Sequence, residues 1–164
     1  MIDERIKRLG FLLGHTSRFF KSTINKAFLE KGYDVTIEQF SIIMFLWHKD
    51  GVNQQLLADN ALKEKTTVLR LIDSLEKYGY IRRDKDPNDR RNNLIFLTDA
   101  GKQLREDLIE TVDENADRVF NGFSLDEKET LEKLLSKMYE NLRPENYTKY
   151  ESINFNKDKC CENK

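Results

Sequence analysis

Apolar residues recur every three or four positions along most of this chain, which is the spacing of amphipathic α-helices. The spacing predicts a first helix over residues 4–31, a second from a capping box at residues 36–39 to about Trp47, a later helix from Thr98 to about Asn121, and a last one from a capping box at residues 124–127. The apolar faces expected on these helices are Ile6, Leu9, Leu13, Phe20, Ile24, Ala27 and Phe28; Phe40, Ile43, Met44 and Trp47; Leu104, Leu108, Val112, Ala116 and Val119; and Leu131, Leu134, Leu135, Met138 and Leu142. The chain is therefore predicted to be mainly helical.

Two shorter helices are predicted between residues 53 and 79. Asn53 can cap the first of them by accepting from its free N–H groups. The second, over residues 63–78, has one apolar stripe built from Val68, Leu71, Ile72 and Leu75. Its other face and first turn carry donors that can reach base edges and phosphates from a major groove: Lys63, Lys65, Thr66, Thr67 and Arg70.

Residues 84–98 have the pattern of a β-hairpin with a long polar tip. One strand opens at Ile81, the other spans residues 94–97, and Pro87 with the surrounding Asn and Asp residues favours the turn. Arg90 and Arg91 would then project into solvent, where two guanidinium groups can enter a nucleic-acid groove; an ordinary solvated turn is the alternative. The turn at residues 49–53 can add one short strand. The predicted fold is a winged helix-turn-helix, mainly α with a small β-wing and six helices.

These motifs resemble the multiple antibiotic resistance regulator (MarR) family of bacterial transcription factors. The resemblance runs roughly from residue 6 to residue 142 and rests on the segments 86–91, 95–101, 75–81 and 55–58. In that family an Asp braces the second wing Arg, which enters the minor groove, and the matching residues here are Asp89 and Arg91. The resemblance implies a dimeric DNA-binding regulator, commonly a repressor that a small molecule releases.

Charge is unevenly distributed along the chain, although the net charge is only −1. Residues 63–98 hold nine Lys and Arg against six Asp and Glu, whereas residues 99–142 hold six against twelve. The basic excess therefore lies on the expected DNA-binding segment, and the acidic half would be repelled by phosphate. This pattern favours one defined binding face over general affinity for polyanions.

The two long helices after the wing are not needed by the DNA-binding module. Together with the first helix they are expected to form a dimer platform, because a palindromic operator requires a two-fold symmetric protein. The alternative is a monomeric bundle packed on its own winged helix. We expect one domain over residues 1–142, with a DNA-binding lobe at about 36–98, dimerisation helices at 4–31 and 99–142, and a polar, flexible tail over residues 143–164.

Several function classes find no support in the sequence. The longest apolar stretch, residues 42–47, is too short to span a bilayer, and the N-terminus lacks the apolar run of a signal peptide, so a cytoplasmic protein is expected. No catalytic motif, cofactor motif or metal-ligand spacing occurs; His15 and His48 lie on different helices. Cys160 and Cys161 stand together in the tail and are interpreted as incidental, with tail redox chemistry as the alternative, and no Cys occupies the first helix, where the peroxide-sensing branch of the family carries one.

An effector pocket and a second type of function complete the predictions. The first two helices supply aromatic and basic side chains that could bind a small aromatic or anionic effector: Phe11, His15, Arg18, Phe19 and Trp47. Aromatic residues at helical spacing, however, more often form a core. The alternative is that the protein responds to no ligand. A winged helix that binds an acidic protein partner, without reading DNA, is the competing function.

Overall fold

Six helices and three short strands follow one another in the residues that the computed structural model describes, which are 3–61, 63–89 and 91–142. The elements are α1 (Glu4–Glu30), α2 (Ile37–His48), β1 (Val52–Asn53), α3 (Gln54–Ala61), α4 (Lys65–Lys77), β2 (Ile81–Lys85), β3 (Asn93–Leu97), α5 (Asp99–Val119) and α6 (Leu125–Leu142). The predicted mainly helical fold with a small β-wing is confirmed. Arg90, Cys160, Cys161 and the tail over residues 143–164 lie outside the described residues.

Local side-chain caps begin the helices where the sequence predicts. Thr36 and Gln39 form a reciprocal capping box at α2, with N–H donation at 3.3 Å to the Thr36 hydroxyl and at 2.8 Å to the Gln39 amide oxygen. Ser124 and Glu127 do the same at α6, at 3.2 and 2.9 Å. The Asn53 side chain accepts from the third residue after it at 2.9 Å and so starts α3. Each cap satisfies N–H groups that have no partner inside the helix.

The sheet is antiparallel with the order β1-β3-β2. Ile81 lies opposite Leu97 at the base of the β2–β3 hairpin, and Val52 of β1 lies opposite Ile95. Gly51 has a φ of +67°, and a Cβ there would lie 2.7 Å from the Phe96 ring, so only glycine fits this approach to the sheet. The short strand predicted at residues 49–53 is thus confirmed.

The core lies between α2, α3, α4, the sheet and the facing parts of α1 and α5. Its largest fully buried side chains are Phe28, Phe40, Ile24, Ile43, Leu46, Leu57, Ile72, Leu75, Ile81, Ile95, Leu104 and Leu108. Gln39 is buried with them and donates from Nε2 to the Ser74 hydroxyl on α4 at 2.9 Å, which links the second helix to the fourth. The core therefore fixes α4 while leaving its opposite face uncovered.

The predicted apolar face of α5 is partly wrong. Val112 and Ala116 are only half-buried and Val119 is exposed, whereas Thr111 and Asn115 are buried. The buried stripe runs 104, 108, 111, 115, which is still a helical spacing but is rotated toward the polar side. Asn115 satisfies one of its donors by bonding the carbonyl of Thr111 at 2.7 Å.

Large apolar side chains are exposed on the first half of α1 and along α6. In α1, Ile6 and Leu9 are 60% and 62% exposed, and in α6 Leu134 and Leu142 are 56% and 76% exposed. No residue of α6 is buried. These two faces are apolar in sequence yet uncovered within one chain.

Candidate nucleic-acid interface

The exposed face of α4 carries the residues predicted to read DNA. Val68, Ile72 and Leu75 turn into the core. The opposite face is exposed and includes Lys65, Thr66, Thr67 and Arg70. Because the apolar stripe holds the helix on the core, these four side chains are presented together on a convex surface.

The N-terminal end of α4 is suited to a phosphate. Glu64 stands at the cap position but makes no side-chain hydrogen bond to the helix; its backbone carbonyl accepts from Thr67 and Val68 at 2.9 and 3.1 Å. Lys63 lies half-buried in the preceding turn, its N–H bonded to the Ala58 carbonyl at 3.3 Å, so the helix begins two residues later than predicted. A helix N-terminus flanked by lysines attracts an anionic backbone.

The tip of the wing is held by two aspartates that bond the backbone. Asp86 accepts from the N–H of Asn88 at 2.8 Å. Asp89 accepts from the N–H of Arg91 at 3.0 Å through one oxygen and from the side chain of Asn92 at 3.1 Å through the other. These are short-range turns of the kind that Asp and Asn favour. In the described part of the tip these bonds hold the backbone on both sides of the turn, and Arg91 is exposed to solvent.

The contact between Asp89 and Arg91 differs in kind from the one suggested by the family resemblance. Asp89 acts on the backbone of Arg91, which fixes where that residue leaves the turn, while the Arg91 side chain is exposed. Arg90, the other predicted wing arginine, lies outside the described residues.

Arg83 connects the wing to α4 and was not predicted from the sequence. From β2 its two terminal nitrogens reach Asp73 at 2.5 Å and Glu76 at 2.6 Å, both on α4. Its neighbour Arg82 points to the other side of the sheet, where it lies over the Phe96 ring at 4.6 Å. The signal available in the sequence is weak: two acidic residues lie three positions apart on a helix that also carries the side chains predicted to read DNA.

The residues predicted to form an effector pocket fall into two groups. Phe11 and His15 stack on the exposed part of α1, with ring centroids 3.8 Å apart, and Phe19 and Arg18 are exposed on the same helix. Trp47 instead lies half-buried beneath the guanidinium of Arg105, 4.5 Å from it.

Arg105 is itself a residue that sequence reasoning missed. It is only 2% exposed and bonds Glu106 at 2.8 Å while covering the Trp47 ring. A fully buried arginine is uncommon, and the cation–π contact compensates part of its lost hydration. No periodic pattern marks such a residue in advance.

A groove of about 370 Å³ lies beside the start of α6. It is lined by Phe123, Asp126, Glu127, Thr130, Leu131 and Leu134, none of which belongs to the predicted effector residues. Among the described residues, no group of three or more His, Cys, Asp or Glu side chains is arranged to hold a metal ion. In the same part of the chain, no helix has both the length and the apolar character to cross a membrane.

Comparisons with known proteins lead to a single family. A sequence model of the MarR family matches residues 35–92. The HTH-type transcriptional regulator SarZ of Staphylococcus haemolyticus is 32% identical over 127 residues, which is 76% of this chain and 82% of SarZ. A MarR transcriptional regulator from Methanosarcina mazei has a similar structure, with a TM-score of 0.74 and 30% identity over 82% of this chain and 96% of that one. CouR from Rhodococcus jostii, solved with bound p-coumaroyl-CoA, gives a TM-score of 0.69 and 25% identity over 84% of this chain and 93% of CouR.

Proposed function

The chain belongs to the MarR family of DNA-binding transcriptional regulators, and we propose that it acts in the cytoplasm as a homodimeric repressor of a palindromic operator, released by a small aromatic or anionic molecule. Membership of the family agrees with the predicted winged helix-turn-helix and with a regulator rather than an enzyme. The observation that carries the proposal is the uncovered apolar surface of α1 and α6 beside a DNA-reading lobe.

Physical chemistry favours a second copy as the cover of that surface. Leu125, Leu134 and Leu142 are 70%, 56% and 76% exposed on α6, and fully burying one leucine is worth about 1.5–3 kcal/mol. Contiguous apolar patches of this kind mark interfaces on soluble proteins. A two-fold dimer covers both copies of the patch at once and places two lobes symmetrically.

In this proposal, DNA binding and dimerisation are carried out by different elements of the chain. Residues 36–98 form the DNA-binding lobe, whereas α1, α5 and α6 form the dimer platform. In such a dimer the two α4 helices enter successive major grooves, about 34 Å apart, and a promoter occupied in this way is closed to polymerase.

The proposed base and phosphate contacts come from α4 and the wing. Thr66, Thr67 and Arg70 read base edges, while Lys63 and Lys65 neutralise phosphates near the helix N-terminus. Arg91 enters the adjacent minor groove, together with Arg90 beyond the described part of the tip.

The proposed effector lies beside α1. The stacked pair Phe11 and His15, with Phe19 and Arg18 on the same helix, offers aromatic surface and a cation, and Trp47 lies on α2 beneath Arg105 of α5. The likeness to CouR, which binds p-coumaroyl-CoA, supports an aromatic, anionic class of molecule. Such a ligand releases DNA only if it binds the free arrangement of the lobes better than the DNA-bound one.

The central experiment measures size and sequence preference together. Sedimentation of the purified chain at about 10 µM, far above a nanomolar-range dissociation constant, should show twice the 19.4 kDa mass of one copy. Selection of the protein against a randomised duplex library should recover an inverted repeat that binds about 10³-fold or more tightly than random DNA at fixed salt. A 19.4 kDa species, or equal affinity for all duplexes as expected of a protein-interaction module, would contradict the proposal.

The effector part is tested separately on the selected duplex. A panel of aromatic acids, phenols and aromatic CoA thioesters is titrated against the protein–DNA complex. We expect at least one to release the DNA, and to do so less well with His15→Ala and Arg18→Ala. If release is unchanged in both variants, the ligand binds elsewhere. If no compound releases the DNA, the protein is regulated by its abundance and not by a ligand of this class.

A further inference from the structure

Arg83 makes an ion-pair link between the wing and the recognition helix. Its guanidinium bridges two carboxylates on α4, with Nη2 2.5 Å from Asp73 and Nη1 2.6 Å from Glu76. The side chain is 21% exposed, so the pair of contacts is partly shielded from water. Most single surface ion pairs contribute little, but a planar guanidinium that engages two carboxylates at once has a fixed geometry.

We propose that Arg83 is a positioning residue for DNA recognition: it fixes the wing against α4, so that Arg91 reaches the minor groove when α4 occupies the major groove. The inference rests on the proposed function, in which both elements read one operator. Arg83 acts by placing Arg91 and makes no DNA contact of its own.

The strand around Arg83 supports a bridging role. In β2 successive side chains alternate between the two faces of the sheet, so Arg82 and Arg83 point in opposite directions. Arg82 lies over Phe96 and pairs with Asp84 within the wing, whereas Arg83 reaches across to α4. Adjacent arginines of equal charge thus make different contacts, which provides a matched control.

The negative charges of Asp73 and Glu76 also bear on the proposed role of Arg83. Asp73 is 53% exposed, on the face of α4 that carries the proposed reading residues, and a carboxylate there repels phosphate. If net charge alone determined DNA affinity, loss of this carboxylate and that of Glu76 would strengthen DNA binding. If they serve to hold Arg83, the same loss frees the wing and weakens recognition.

Among the ion pairs of the described residues, those of Arg83, in the middle of β2, are the only ones that join the hairpin to α4. The hairpin is otherwise anchored at its base, where the N–H of Thr98 bonds the Tyr80 carbonyl at 3.1 Å, and along β3, which pairs with β1 at Ile95 and Leu94. β2 is the edge strand of the sheet and pairs only with β3, so the ion pairs of Arg83 hold this edge against α4, and the distance from Arg83 to the tip amplifies any rotation that follows their loss.

The test is a double-mutant cycle on a duplex selected by the wild-type protein from a randomised library. In the wild-type protein, Arg91→Ala should weaken binding of the duplex by about tenfold. In the Arg83→Met protein, the same substitution should weaken binding by only about threefold or less, because a wing that is not held in position no longer places Arg91 fully in the minor groove. In the Arg82→Met background the effect should stay about tenfold, since that variant loses the same charge without touching α4. Arg83→Lys, which keeps a cation but loses the two-pronged geometry, should lie between.

A second variant guards against misfolding of Arg83→Met. The double variant Asp73→Asn with Glu76→Gln keeps Arg83 and gains positive charge, yet should also shrink the effect of Arg91→Ala to about threefold while binding random duplex as well as or better than wild type. An effect of Arg91→Ala that stays near its wild-type factor in both variants would overturn the inference and leave the proposed function intact. Absence of any selected sequence, or of any Arg91→Ala effect in wild type, would refute the proposed reading of DNA and the inference with it.

Discussion

Leu134 offers a direct test of the proposed dimer, because it lies on α6 and is 56% exposed in a single chain. Leu134→Glu replaces an apolar side chain at the centre of the α6 face with a charge. Covering the exposed half of a leucine is worth about 1 kcal/mol, and burying an unpaired carboxylate costs several kcal/mol more. Since a two-fold interface contains the change twice, we expect a loss of about 6 kcal/mol or more, which is roughly a 10⁴-fold weaker dimer.

The assay is sedimentation across a concentration series from about 0.1 to 100 µM, because a nanomolar-range dissociation constant weakened about 10⁴-fold becomes about 10 µM, which lies within this series. The matched control is Lys133→Glu, which introduces the same residue one position earlier, on the exposed side away from the apolar stripe. Far-UV circular dichroism should show equal helix content in both variants, because neither side chain packs inside the chain. A Leu134→Glu protein that dimerises as tightly as the Lys133→Glu protein would refute the assignment of α6 to the interface.

Three further predictions address the lobe. Asp89→Ala should weaken binding to the selected duplex by part of the Arg91→Ala effect, because it loosens the turn that aims Arg91; a gain in affinity, as expected from the lost negative charge alone, would contradict this. Arg70→Ala should weaken the binding free energy for the preferred duplex by about 1–3 kcal/mol, and by much less for duplexes in which the base that Arg70 reads has been replaced; a series of fluorescence binding measurements can resolve the two cases. The hydrogen bond from Tyr33 lowers the pKa of Asp107 from its ordinary 3.8, so the stability it contributes is present above that pH and is lost as the pH falls through the lowered value; urea unfolding from about pH 2 to 4 should therefore be less pH-dependent in Tyr33→Phe, and an unchanged slope would exclude the linkage.

The positions of helices and strands were predictable because their determinants are local. The capping box from Thr36 to Gln39 needs residues only three positions apart, and the aspartates of the wing tip bond N–H groups two positions away. The exposed face of α4 followed from the burial of Val68 and Ile72 alone. Patterns at this range are complete within a short window of sequence.

The remaining features depend on contacts between distant segments. Arg83 meets Asp73 ten positions earlier, across a turn whose geometry no periodic pattern specifies. Arg105 would be assigned to the surface by its charge, yet α2 places Trp47 beneath it. Val112 and Ala116 looked apolar enough to be inward-facing, but the packing of α5 buries Thr111 and Asn115 instead. Which side of a helix is buried at its margins is decided by the neighbouring element.

The joint between the lobe and α5 is tightly built. The Thr98 hydroxyl donates to the Gly79 carbonyl at 2.6 Å and accepts from the N–H of Gly101 at 3.1 Å. A Cβ on Gly101 would lie 2.1 Å from the Tyr80 carbonyl oxygen, so the first turn of α5 rests directly on the backbone that starts β2. The helix therefore begins in contact with the lobe instead of leaving it on a free linker.

A second tie lies further along the same helix. The Tyr33 hydroxyl, in the loop between α1 and α2, donates to Asp107, which also accepts from Gln103 at 2.8 Å. Two anchors about two helical turns apart resist both rotation and bending of α5, because either motion must break one of them. Within one chain the lobe and α5 thus act as one body. In the proposed dimer, a change in the separation of the two recognition helices would then arise at the contact of the two copies through α1 and α6, and the stacked pair Phe11 and His15 lies on α1.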